Sequence, residues 1–192
     1  VEAVMKRRSV IFVMSVLIFG GSIMCAGCST EDPLAKKVID ELQERRVSKH
    51  SYLELDTDDK VYYIEKAINE NDVDKIYDIF SEDVKQEVGE DELLDQIKEW
   101  MSAFNGSASL TYMWSSENSS TDNDLYDAED DVAFNYVVND TEYVCVITAV
   151  DASSKSTDYV GARYMLSIKR ELLDAGEYTF TDYDTPGVAT ID

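Results

Sequence analysis

The chain changes its hydrophobic period at Asn105-Gly106, and that switch limits its possible folds more than any other feature. Before it, apolar residues recur at spacings of three and four, as on helices with one buried face. After it they alternate with polar residues, as on strands. The strongest helix spans Glu92 to Phe104, where Leu93, Leu94, Ile97, Trp100, Met101 and Phe104 form one apolar stripe and Asn105-Gly106 supplies the stop. Upstream, Pro33 is placed to open a helix carrying Leu34, Val38, Ile39 and Leu42, a pattern interrupted at Arg45–His50. A second helix follows Asp56-Thr57 with Val61, Ile64 and Ile68 on one face. Asp72 can cap a third segment holding Val73, Ile76, Tyr77 and Phe80. Ser81 to Val88 reads as a further short turn or helix.

Beyond Gly106, strands are expected at Leu110–Trp114, Val132–Val138, Thr141–Val150 and Tyr159–Arg170, with Asn139-Asp140 as a two-residue hairpin turn. Helices first and a largely antiparallel sheet afterwards define an α+β domain. The acidic stretch Glu117–Asp131 reads as a solvated loop. It lacks the central glycine and regular spacing of a calcium loop, so no metal is expected. Both faces of the hairpin around the turn are apolar: Phe134, Tyr136, Tyr143, Cys145 and Ile147 on one, Val137, Val144, Val146 and Val150 on the other. A sheet with one wet face alternates more cleanly. Helices would cover one face, and a partner subunit (a homodimer) or a bound ligand is the expected cover for the second. In the last predicted strand Val160, Ala162, Tyr164, Leu166 and Ile168 share a face.

The N-terminal stretch carries an address. Met5-Lys6-Arg7-Arg8, read as the natural start, precedes the uncharged run Val10–Phe19 and then Cys25-Ala26-Gly27-Cys28. The apolar run is too short to span a bilayer of ~30 Å, and its flanks are those of a secretory signal. The small residues ending at a cysteine resemble the lipobox of bacterial lipoproteins, although the position that usually holds leucine is Cys25. The resemblance implies removal of residues 1–27 and diacylation of Cys28, since bulky Met24 makes Cys25 a poor acceptor. Two acyl chains give stable membrane anchoring, on the extracellular or periplasmic side. Residues 28–57 would then form the lipidated tether and first helix.

Composition narrows the partners. With 17 basic and 40 acidic residues the formal net charge is −23. Such a surface excludes nucleic acid, which is bound mainly through Lys and Arg on phosphates, and opposes docking on anionic lipid beyond the anchor itself. Of three cysteines, two lie in the leader, so Cys145 stands alone without a disulfide partner and reads as a small buried hydrophobe.

The run Lys66-Ala67-Ile68-Asn69-Glu70-Asn71-Asp72-Val73-Asp74-Lys75-Ile76-Tyr77-Asp78-Ile79-Phe80-Ser81 resembles the opening of a nuclear-transport-factor-2-like (cystatin-superfamily) domain. Together with the leader, the helix end from Trp100 to Gly106, and Asp151 followed by Gly161-Ala162-Arg163-Tyr164, it resembles a group of Gram-positive lipoproteins catalogued as domain of unknown function 5104. The resemblance covers roughly residues 58–170 and leaves 171–192 as an acidic C-terminal segment. It implies N-terminal helices packed on a curved, mainly antiparallel sheet, a cone with a pocket, and frequently a homodimer. It implies no activity.

The predicted strand interiors offer Asn135, Thr148, Arg163, Ser167 and tyrosines but no histidine. Glu142 sits beside the turn, and Asp131 and Asp151 sit at strand ends. The single histidine, His50, lies in a basic patch before the domain, so no catalytic set and no cofactor are expected. The aromatics Trp100, Phe104, Tyr112, Trp114, Phe134, Tyr136, Tyr143 and Tyr164 either line a small-ligand pocket or pack the core. The leading expectation is a non-catalytic module that binds a small molecule or a protein at the envelope. The alternatives are a small isomerase or dehydratase working in the cone, and a structural or accessory envelope subunit.

Overall fold

The computed structural model describes residues 33–122 and 125–192, so the leader with Cys25 and Cys28 lies outside the described residues. Helices α1 (Pro33–Val47), α2 (Thr57–Glu70), α3 (Val73–Tyr77), α4 (Glu82–Val88) and α5 (Glu90–Ser102) come first. Strands β1 (Thr111–Asp122), β2 (Leu125–Val138), β3 (Thr141–Ser153) and β4 (Gly161–Lys169) follow, then a short α6 (Arg170–Asp174) and β5 (Gly187–Ile191). The five strands form one open sheet in chain order, antiparallel except for the parallel pair β4/β5. The class is α+β.

Local chemistry sets the helix ends. The Asp59 amide donates to Asp56 Oδ1 at 3.3 Å to start α2, and Asn71 ends it in the left-handed region at φ 53°. Asp72 then caps α3, accepting from the Lys75 amide at 3.0 Å, as the sequence predicts. Helix α1 continues through the expected interruption to Val47, which is buried while Val38, Ile39 and Leu42 stay exposed.

The helices bury Ile64, Ile68, Ile76, Leu93 and Ile97 against Phe134, Ile147 and Met165 of the sheet. At the start of β4 the strand meets the α3–α4 junction: the Ala162 amide donates to the Ile79 carbonyl at 2.8 Å and the Ser81 amide to the Ala162 carbonyl at 3.2 Å. Gly161 allows this approach. Its φ is +135°, and a Cβ there would lie 2.6 Å from the Ser81 nitrogen. The Phe80-Ser81 and Gly161–Tyr164 segments, far apart in sequence, are therefore neighbours.

Three expectations are corrected. Glu117–Asp131 is not a loop: Glu117 pairs with Asp130 and Asn118 with Glu129 in a long β1–β2 hairpin. Glu117, Asn118 and Ser119 are exposed, so little apolar periodicity marks a ladder held by backbone hydrogen bonds. Second, Ala162 does not share a face with Tyr164. Thr148 pairs with Tyr164 and Ala149 with Ala162, so Arg163 is an extra residue, and the bulge turns Ala162 into the helix-side core.

Third, residues 171–192 are not an appended segment, and the second sheet face needs no outside cover. Val144, Val146, Leu166 and Ile168 on that face are each at most 2 % exposed. Strand β4 ends beside Tyr143, whereas β5 begins beside Tyr164, so the connection must run back along the strand. Helix α6 packs on β3 and β4, and the Tyr183 ring meets Tyr164 edge-on at 5.6 Å. The chain's own crossover thus covers this face, and Val137, at its margin, is 65 % exposed. An uncovered apolar face no longer argues for a homodimer.

Candidate functional site

The eight aromatics do not line one pocket. Tyr112 and Trp114 lie on the edge strand β1, 40 % and 38 % exposed, paired with Phe134 and Ala133 of β2 on one side and flanked by no further strand on the other. Tyr164 lies on the opposite sheet face with Tyr183. Phe134 and Phe104 are buried core, as are Trp100 and Tyr136, each 4 % exposed, although the last two also border a cleft.

The remaining three converge. Trp100 stands on α5, with its ring 5.0 Å from Phe104 and 6.3 Å from Tyr136, and its Nε1 donates to Ser167 Oγ at 3.0 Å. Tyr136 of β2 stacks on Tyr143 of β3 at 5.3 Å with an interplanar angle of 13°, the side-by-side result of their direct cross-strand pairing. Trp100, Tyr136 and Tyr143 border a cleft of about 560 Å³ between the end of α5 and the sheet. Its other walls include Gln96, Glu99, Val138, Val188 and Asp192.

The polar contacts of the cleft are fixed. Gln96 Oε1 accepts from the Val188 amide at 3.0 Å and ties β5 to α5. The Tyr143 hydroxyl donates to Asp192 Oδ1 at 2.5 Å. That hydrogen bond, helped by burial, pushes the Tyr143 phenol up to about 12, and burial also raises Tyr136. Both phenols therefore stay protonated near neutrality, as donors and apolar surface rather than as bases. Gln96, Glu99, Val188 and Asp192 escaped sequence reasoning because two sit on the polar rim of an amphipathic helix and two in a segment set outside the domain.

A second cluster lies six residues along β2 from Tyr136, about 20 Å away. Lys60 Nζ, on α2, contacts Asp130 Oδ2 at 2.5 Å with both side chains nearly buried, and Asp151 Oδ1 at 4.0 Å. The ammonium also sits 5.5 Å from the Tyr52 ring centroid, and the Tyr52 hydroxyl is buried without a hydrogen-bond partner. Burial raises the Asp151 carboxyl, against the pull of Lys60. The spacing held a signal: Lys60 precedes Ile64 by one helical turn, and Asp130 alternates with Val132 and Phe134 on the buried face. This pair clamps α2 to β2. Cys145 is buried nearby in the core, where desolvation pushes its thiol up to about 12. Among the described residues no three His, Cys, Asp or Glu side chains are grouped to hold a metal, and no helix is long and apolar enough to cross a membrane.

Comparison with models of protein families and with curated proteins finds no match for this chain.

Removing one partner of the buried pair leaves an uncompensated charge. Lys60→Met and Asp130→Leu should each cost about 3–5 kcal/mol, and the double variant should recover most of that loss. Urea unfolding of the four proteins checks this; additive losses would refute the clamp. Tyr143 predicts an alkaline effect. Its folded phenol titrates above the ordinary value of 10, so its contribution to stability is complete below pH 10 and is lost as pH rises through about 12. Tyr143→Phe should therefore flatten the fall in stability over that window and remove one late-titrating phenol from the ultraviolet absorbance titration.

Proposed function

We propose that the protein is a lipid-anchored envelope protein whose domain binds a small molecule in the Trp100–Tyr136–Tyr143 cleft without transforming it. The observation that carries the reading is the cleft's composition: stacked and edge-on rings, apolar Val138 and Val188, and a few fixed polar groups. A small-molecule site typically has that make-up. The two phenols nearest the cavity are held away from proton transfer at neutral pH. Lys60 and Asp130 neutralise each other. A nuclear-transport-factor-2-like cone, and membership of the lipoprotein family named above, fit the element order. They also fit the register shifts in β1–β2, β2–β3 and β3–β4, since bulges bend and twist strands. The anchor reading rests on the leader, with Cys28 as the acylated residue.

The neutral fluorophore N-phenyl-1-naphthylamine tests the cleft. Its emission should rise on binding to the full chain. Ala103→Trp, which fills the cleft from an exposed lining position, should abolish that rise with an unchanged far-ultraviolet dichroism spectrum. Binding that is absent, or indifferent to Ala103→Trp, would overturn the reading. Separately, expression in a bacterial host should place the wild-type chain in the detergent phase of a phase-separation assay and Cys28→Ala in the aqueous phase. Equal partitioning would count against the anchor.

A further inference from the structure

We infer that the cleft selects an organic cation, an ammonium group carried on a flat apolar body. This rests on the small-molecule reading and names its ligand class. The cleft's charged lining residues are Glu99 and Asp192, and its lining includes no Lys, Arg or His. Neither carboxylate takes part in an ion pair among the described residues. With 40 acidic against 17 basic residues the chain cannot pair every acid, so the weight rests on where these two stand, on the lining of one cleft beside aromatic rings. The Tyr143 hydroxyl engages Asp192 Oδ1, and a carboxylate keeps a second oxygen free to accept from an ammonium N–H.

The aromatic wall acts in the same direction. Trp100 and Tyr136, each 4 % exposed, form the base of this wall, and Tyr143, the partly buried ring of the stack, offers a planar contact and a negative ring face that attracts a cation within about 6 Å. Val138 and Val188 add apolar wall, while the two carboxylates are exposed and act through solvent, which makes their pull on a cation sensitive to salt. An anionic ligand would meet two like charges and a chain of formal net charge −23, whereas a cation is concentrated by the same field. A neutral ligand gains the apolar contacts and leaves both carboxylates unpaired. The cation adds to those apolar contacts a pairing with Glu99 and Asp192.

Three probes with a common phenyl body separate the charge states: 2-phenylethylamine, 2-phenylethanol and phenylacetate, titrated calorimetrically into the full chain at low ionic strength. The amine should bind at least about tenfold more tightly than the alcohol, a gap of about 1.4 kcal/mol, and phenylacetate should give no heat of binding. The preference should shrink as salt is added and fall towards unity in the Glu99→Gln/Asp192→Asn double variant, with the far-ultraviolet dichroism spectrum unchanged. An alcohol or acid that binds as tightly as the amine, or a preference that survives the double substitution, would overturn the ligand class. So would failure of all three probes to bind. In each of those cases neutral-fluorophore binding blocked by Ala103→Trp would leave the small-molecule reading standing, and its absence would remove both.

Discussion

Seven consecutive residues of β3, Val144 to Val150, are buried, and the rest of the fold follows from that run. Successive strand residues point to opposite faces, so both faces of the sheet must be covered. Helices α2, α3 and α5 cover one. On the other, Val144, Val146, Leu166 and Ile168 are each worth about 1.5–3 kcal/mol when taken out of water, too much to leave exposed in a domain of marginal stability. The crossover through α6 supplies that cover. A connection that returns along β4 across one face delivers the next strand parallel to it. That is why an otherwise antiparallel sheet ends in the parallel pair β4/β5.

The same arrangement produces the cleft. Strand β5 has only five residues and is tied to α5 through Gln96. Gly187, at φ +106°, keeps the backbone clear of the Gln96 side chain: a Cβ there would lie 2.5 Å from Oε1. Beyond this tie the last turn of α5, at Glu99 and Ala103, borders space rather than strand. Tyr136, Tyr143 and Asp192 close the floor and the far side. The cavity therefore depends on how the C-terminal strand docks.

This dependence explains what the sequence made legible. Helix faces, the Asp72 cap, the Asn139-Asp140 turn and the buried state of Cys145 follow from periodicity and local hydrogen bonding, which are written in neighbouring residues. Trp100, Tyr136 and Tyr143 were visible as aromatics on the right elements. Their separation from Tyr112, Trp114 and Tyr164 depends on bulges at Tyr112/Trp114 and Arg163, and a one-residue shift in register moves every side chain beyond it to the other face. The β1–β2 hairpin was hidden for the opposite reason. On its β1 side the outer half reads Glu117-Asn118-Ser119-Ser120-Thr121-Asp122, without an apolar residue, so nothing in that composition distinguishes ladder from loop. Asp192 and Val188 belong to a strand whose partner is set by the crossover, a long-range consequence of burial on β3.

Two polar centres compete for a functional role, and their electrostatics separate them. At Lys60–Asp130 the charges are matched across 2.5 Å and nearly sealed from water. An incoming ligand would have to break a buried ion pair before making any contact, and breaking one partner's interaction typically costs several kcal/mol. The cleft is the reverse case. Glu99 and Asp192 are exposed and unpaired, beside rings already held in place by Ser167 and Asp192, so a ligand can bind without first disrupting structure. Pre-formed geometry lowers the cost of association, and unmatched charge gives it a sign. The matched pair holds α2 on the sheet, and the unmatched pair is the feature on which the proposed preference for a cation rests.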